Sequence, residues 1–182
     1  VKGWDKTKLA NIYLRNEPID NNCCNSYFKI TESQILRSIL KRKQIGEVTK
    51  QMVFVELKKK RQASTLKSFK DFLIGLRPAS ILFFREILWK LFSISHKEKL
   101  DSYLEGFNPQ VIYVLCPSLI YGHRMLHYIH QKTGAKVVIF HGDDNFTYKN
   151  YWPLHFLYQA HLRFWIRKSI NVSNVNYAAT QQ

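Results

Sequence analysis

The sequence predicts an α/β domain in which a mainly parallel sheet lies between helices in three layers. Two apolar runs and the segment between them carry that prediction. Val111 to Cys116 (VIYVLC) and Lys136 to Phe140 (KVVIF) are short, nearly continuous apolar runs rich in β-branched residues, the pattern of strands covered on both faces. Ser118 to Lys132 has the length of a helix, so the unit reads as strand, helix, strand, as a parallel sheet requires. Asn108-Pro109 marks the turn into the first strand, Ser118 is placed to cap the helix, and Gly134 to close it.

The second run stops at His141-Gly142-Asp143-Asp144. In open α/β sheets the carboxyl end of a strand is where ligands bind. At that tip His141 would face a cleft, with Asp143 or Asp144 orienting its imidazole, an arrangement suited to moving a proton. The alternative is structural: the same three side chains can cap a strand and the turn after it. Behind the first strand, the helix start at Ser118 could offer backbone N–H groups to an anion such as a diphosphate, with Tyr121 and Arg124 close by. His123, His127 and His130 share one helical face, but no Cys or carboxylate completes a ligand set, so a solvated or interdomain helix edge is the better reading than a metal site.

Composition narrows the partners. A chain of 182 residues, 46% hydrophobic and 14% aromatic, is one domain with a sizeable core rather than a disordered segment. It carries 28 Lys and Arg against 13 Asp and Glu, a formal charge of +15, which calls for an anionic partner: a membrane surface, a phosphate-bearing substrate or nucleic acid. Cys23 and Cys24 are adjacent and Cys116 ends an apolar run, so no disulfide framework is expected and a reducing, cytoplasmic setting fits. Arg85, Glu86 and Lys90 interrupt the longest apolar stretch, leaving peripheral rather than spanning membrane contact. No Gly-rich phosphate cradle and no CxxC pair occurs, and without RNP-like or recognition-helix patterns nucleic acid is not the expected partner.

The other elements follow in order. Leu9 to Leu14 and Tyr27 to Ile30 read as strands. Thr31-Glu32-Ser33-Gln34 has capping-box spacing and opens a helix to about Lys43, stopped by Gly46, with Ile35, Leu36, Ile39 and Leu40 on its apolar side. Val53 to Leu57 fits a strand or the start of a helix. The run Lys58-Lys59-Lys60-Arg61 precedes a helical segment from Ser64 to Leu104, broken near Gly75 to Pro78, where Pro78 can start a new helix. That helix is apolar around most of its circumference, Phe84 and Trp89 included, with Arg85, Glu86 and Lys90 as a narrow polar strip. It is either buried against the sheet or set in a membrane interface beside the basic run. Asn145 opens a polar-aromatic loop to Trp152, Leu154 to Lys168 is helical, and Asn176 to Ala179 begins a last strand.

The pattern FNPQVIYVLCPSLIYGHRMLHYIHQKTGAKVVIFHGDD, followed by a helix and NVNYAATQQ, resembles the acceptor-side half of a GT-B glycosyltransferase, of the family 4-like group that builds bacterial surface polysaccharides. The resemblance covers the second half of the chain. It implies a Rossmann-like amino-terminal domain over residues 1–182, lacking its first strand and a carboxyl-terminal half that would hold the nucleotide-sugar donor, so that this chain alone would be inactive and bind no cofactor. It further implies that His141 contacts the reacting sugar and that a neighbouring carboxylate serves as base. Gly142 separates His141 from Asp143, where the commonest form places the acid next to the histidine, so both Asp143 and Asp144 are candidates. Ser118, Tyr121, Arg124 and Asn145 would hold a saccharide acceptor, expected to be lipid-linked. Lys58, Lys59, Lys60, Arg61, Phe84 and Trp89 would meet an anionic membrane at its cytoplasmic face.

Overall fold

The computed structural model describes residues 3–14, 24–50, 79–142 and 155–179. Among them, β1 (Ala10–Tyr13), β2 (Ser26–Lys29), α1 (Glu32–Lys41) and β3 (Glu47–Lys50) precede α2 (Ala79–Lys90) and α3 (Glu98–Phe107). Then come β4 (Val111–Leu115), α4 (Ile120–Thr133), β5 (Lys136–His141), α5 (His155–Val172) and β6 (Val175–Ala178), with 3-10 turns at Lys6–Lys8 and Leu91–Ile94. The architecture is α/β with two three-stranded sheets. In the first, β1 and β2 are parallel and β3 is antiparallel to β2. In the second, β4, β5 and β6 are all parallel with β5 in the middle.

Local chemistry accounts for most element ends. Thr31 and Gln34 form the capping box, each side chain accepting the other's backbone N–H. The helix ends earlier than expected, at Arg42, which takes the left-handed φ of 49°. Gly46, with φ of 89°, instead lets the backbone pass over Phe28; a Cβ there would lie 2.1 Å from the ring. Asn108 (φ 49°) and Gly134 (φ 67°) close α3 and α4. The helix expected to run on to Leu104 is interrupted after Lys90. Ser95 Oγ donates to the Phe92 carbonyl at 2.7 Å, and Ser38 Oγ accepts the His96 N–H at 2.9 Å. A local side-chain bond and one to a residue distant in sequence thus replace the helical ones. The strand β3 lies in a stretch where no strand was expected, while Val53 to Leu57 falls outside the described residues.

Helix α4 is the central spacer. Its Tyr121, Met125 and Ile129 join Phe28, Ile30, Ile35, Trp89, Phe92 and Leu100 in one core, and its Ile120 and Leu126 join Val137, Ile139, Leu162 and Ile166 in the other. Ile12 and Ile112 both pack against the first core, so the two sheets share an interior. The expectation that β4 is covered on both faces is not met. Val111, Tyr113 and Leu115 are 55%, 67% and 57% exposed, and the register places them beside Val138, Phe140, Val175 and Tyr177 on one face. No described element lies against that face. An apolar run tells only that a strand could be buried twice, because its side chains alternate and each face must find its own cover.

The mainly apolar helix α2 is likewise oriented differently from its expected strip. Glu86 is 6% and Trp89 3% exposed, whereas Ile87 is 57% exposed. Leu36 and Leu40 of α1 also point outward while Ile35 is fully buried. No helix among the described residues is long and apolar enough to cross a membrane.

Candidate functional site at the rim of the parallel sheet

His141 is the last residue of the middle strand, opposite Ala178 in β6, and its carbonyl accepts the Ala179 N–H at 3.0 Å. It shares the helix-covered face with Val137 and Ile139 and is half-buried. Its Nε2 lies 3.3 Å from Asn176 Oδ1. An amide oxygen only accepts, so Nε2 carries the hydrogen, and in the neutral tautomer Nδ1 has the lone pair. Asn176 was not a sequence candidate for this role; only the pairing of Ile139 with Asn176 brings it to the histidine. Gly142 follows in a tight place, where a Cβ would meet Leu115 and Phe140 side chains at 3.3 Å. Asp143, Asp144, Asn145 and the basic run Lys58 to Arg61 lie outside the described residues, as does the side chain of Phe84.

The start of α4 is built differently from the expectation. Ser118 is exposed and caps nothing; Leu119 holds the cap position without a side-chain bond. Glu86 reaches in from α2 instead, its Oε1 accepting the Tyr121 N–H at 3.3 Å, with the Ile120 N–H also bonded to the carboxyl. The positive end of the helix is thereby occupied by a side chain of the protein, which withdraws the diphosphate role assigned to it. Burial pushes the Glu86 carboxyl up, against the pull of Arg124, the two N–H groups and Arg85. Tyr121 is buried, its ring stacked on Trp89 at 4.5 Å and its hydroxyl accepting from Arg85 at 3.3 Å. Trp89 is thus a core residue whose Nε1 points to Glu32, and it offers no face to a membrane. Arg85 pairs with Glu32 at 2.7 Å. Arg124 lies over the Trp165 ring at 5.4 Å.

On the histidine face of α4, His123 and His127 are buried rather than solvated and His130 is half-buried. His123 is fully covered, with Nε2 2.9 Å from the Pro117 carbonyl and Nδ1 2.9 Å from Ser169 Oγ. The carbonyl requires Nε2–H, so Ser169 donates to Nδ1 and in turn accepts from His127 Nε2 at 3.4 Å. Burial pushes the His123 imidazole down to about 4, with smaller opposing help from the Pro117 carbonyl and further lowering by His127 and His141. His130 Nδ1 donates to the Ala135 carbonyl at 2.9 Å. His123 and His127 share the Ser169 hydroxyl while His130 bonds elsewhere, and among the described residues no three His, Cys, Asp or Glu side chains are grouped to hold a metal. Cys24 and Cys116 are both buried.

A cavity of about 380 Å³ opens on the other side of α4, beside α2 and the 3-10 turn after it. Compared with protein-family models, with curated proteins and with solved structures, the chain matches none.

Proposed function

We propose that the chain is the acceptor-side, Rossmann-like half of a GT-B glycosyltransferase. Joined to a donor-binding half, it would pass a sugar from a nucleotide sugar to a lipid-linked saccharide of a capsule, O-antigen or exopolysaccharide at the cytoplasmic face of a bacterial membrane. The observation that supports this reading is the place of His141: it ends the central strand of a parallel sheet, at the edge where α/β folds bind their ligands. With Nε2–H held by Asn176, Nδ1 is left to take a proton from an acceptor hydroxyl, and Asp143 and Asp144 remain the candidate carboxylates. In the full-length enzyme, His141→Ala is expected to lower transfer from a radiolabelled nucleotide sugar at least about 100-fold with the melting temperature unchanged. Unaltered turnover would remove His141 from the mechanism. The isolated chain is expected to transfer nothing.

A second reading, a basic module that binds anionic membrane or nucleic acid without chemistry, is favoured by the charge of +15. Its nucleic-acid form predicts strongly salt-dependent retention on DNA or RNA without liposome binding; the glycosyltransferase reading predicts the reverse preference.

A further inference from the structure

The cavity beside α4 combines three cations with an aromatic floor. Lys90, Lys97 and Arg124 line it together with Trp89, Phe92 and Tyr128, and no carboxylate among the described residues is part of the wall. The ion pairs among the described residues join Arg85 to Glu32 and Lys132 to Asp101 and Glu105; none of these takes up a cation of the cavity, though Arg124 also feels the buried Glu86 carboxyl. Asp101, which attracts Lys97, is also engaged by the Tyr128 hydroxyl and by Lys132 at 3.6 Å. Lys97 is held in place rather than waving in solvent: Nζ donates to the Ser93 carbonyl at 3.0 Å and lies 5.2 Å and 4.8 Å from the Phe92 and Tyr128 ring centroids. Arg124 Nε is buried without a hydrogen-bond partner among the described residues.

Three cationic side chains around an apolar floor offer N–H donors that a multivalent oxygen anion can accept from. A volume near 380 Å³ falls in the roughly 300–1,000 Å³ range of small-molecule sites, more than a bare phosphate fills. We propose that this cavity binds a phosphate-bearing ligand, its phosphate on Lys90, Lys97 and Arg124 and its ring or hydrocarbon part on Trp89, Phe92 and Tyr128. The site lies apart from His141 and does not depend on the glycosyltransferase reading. The phosphate can belong to a soluble sugar phosphate or to a lipid headgroup, and the chemistry of capture is the same.

The test uses the chain as it stands, with Lys90→Glu, Lys97→Gln and, as a control with the same charge change as Lys90→Glu, Lys136→Glu. Lys136 is exposed at the start of β5, on the sheet face away from α4. Calorimetry follows hexose 1-phosphate and inorganic phosphate, and co-sedimentation follows phosphatidylcholine vesicles with and without phosphatidic acid. Saturable binding of hexose 1-phosphate, weakened at least about tenfold by Lys90→Glu and Lys97→Gln but less than about twofold by Lys136→Glu, supports a soluble ligand. The same pattern seen only with phosphatidic acid vesicles supports a lipid headgroup. Absence of saturable binding to either, or equal weakening by Lys136→Glu, overturns the proposal. Lys90 is exposed on its helix, so Lys90→Glu gives a folded variant even if Lys97→Gln does not, and circular dichroism checks both.

Discussion

Burial sets opposite pH responses at two residues, His123 of α4 and Glu86 of α2. His123 stays neutral in the fold down to about pH 4, against 6.5 for an ordinary histidine. In the window between, the unfolded chain binds the extra proton. Its contribution to stability is therefore complete above pH 6.5 and is lost as pH falls toward 4, by up to about 3 kcal/mol. His127 and His161 are also pushed down by burial and act in the same direction. Urea midpoints at pH 7 and pH 4.5 should differ more in the parent chain than in His123→Gln; an equal drop in both would sink this account. Glu86 has the reverse sign, because burial raises its carboxyl and the fold binds the proton more tightly than the open chain does. Stability at that residue falls as pH rises through its raised value. Glu86→Gln keeps an acceptor for the helix start without a buried charge and should match or exceed the parent at pH 7. Glu86→Ala orphans the Ile120 and Tyr121 N–H groups and should cost about 1–3 kcal/mol by chemical denaturation.

Elements are fixed here by close approaches as much as by propensity. Gly46 has both a positive φ and a ring where its Cβ would be, so Gly46→Ala should lower stability by about 2–4 kcal/mol. Gly106 in α3 has open space around it, and Gly106→Ala should raise stability by about 0.5 kcal/mol. A thermal melt distinguishes the two signs. The parallel sheet has a covered and an open face, and the faces answer mutation differently. Ile139→Ala, on the covered face and 1% exposed, should cost about 2–5 kcal/mol. Tyr113→Thr, on the open face, should stay within about 0.5 kcal/mol; a loss comparable to that of Ile139→Ala would show that something packs on this face in solution.

At the level of the complete chain the charge of +15 dominates encounter with partners. Adsorption to vesicles containing anionic lipid should fall steeply between about 0.05 and 0.5 M salt, since the screening length shrinks several-fold over that span. Persistence of the bound fraction at high salt in a co-sedimentation assay would mean that apolar insertion, and not charge, holds the protein there. The open sheet face, with Val111, Tyr113, Leu115 and Tyr177 exposed, supplies apolar surface of the kind such insertion would need.

The strands β4 and β5, the helix between them and the ends at Thr31, Asn108 and Gly134 were legible from the residues alone, because apolar period, capping chemistry and left-handed turns are local properties. Position 141 at a strand tip followed from the same logic. Local pattern could not say that Glu86 would displace Ser118 at the start of α4, or that Asn176 would hold His141. Nor could it bury Trp89 and the α4 histidines, or leave half of β4 bare. Those outcomes depend on which distant surfaces meet, and a buried carboxylate or imidazole finds its partner only after packing has removed water as the alternative.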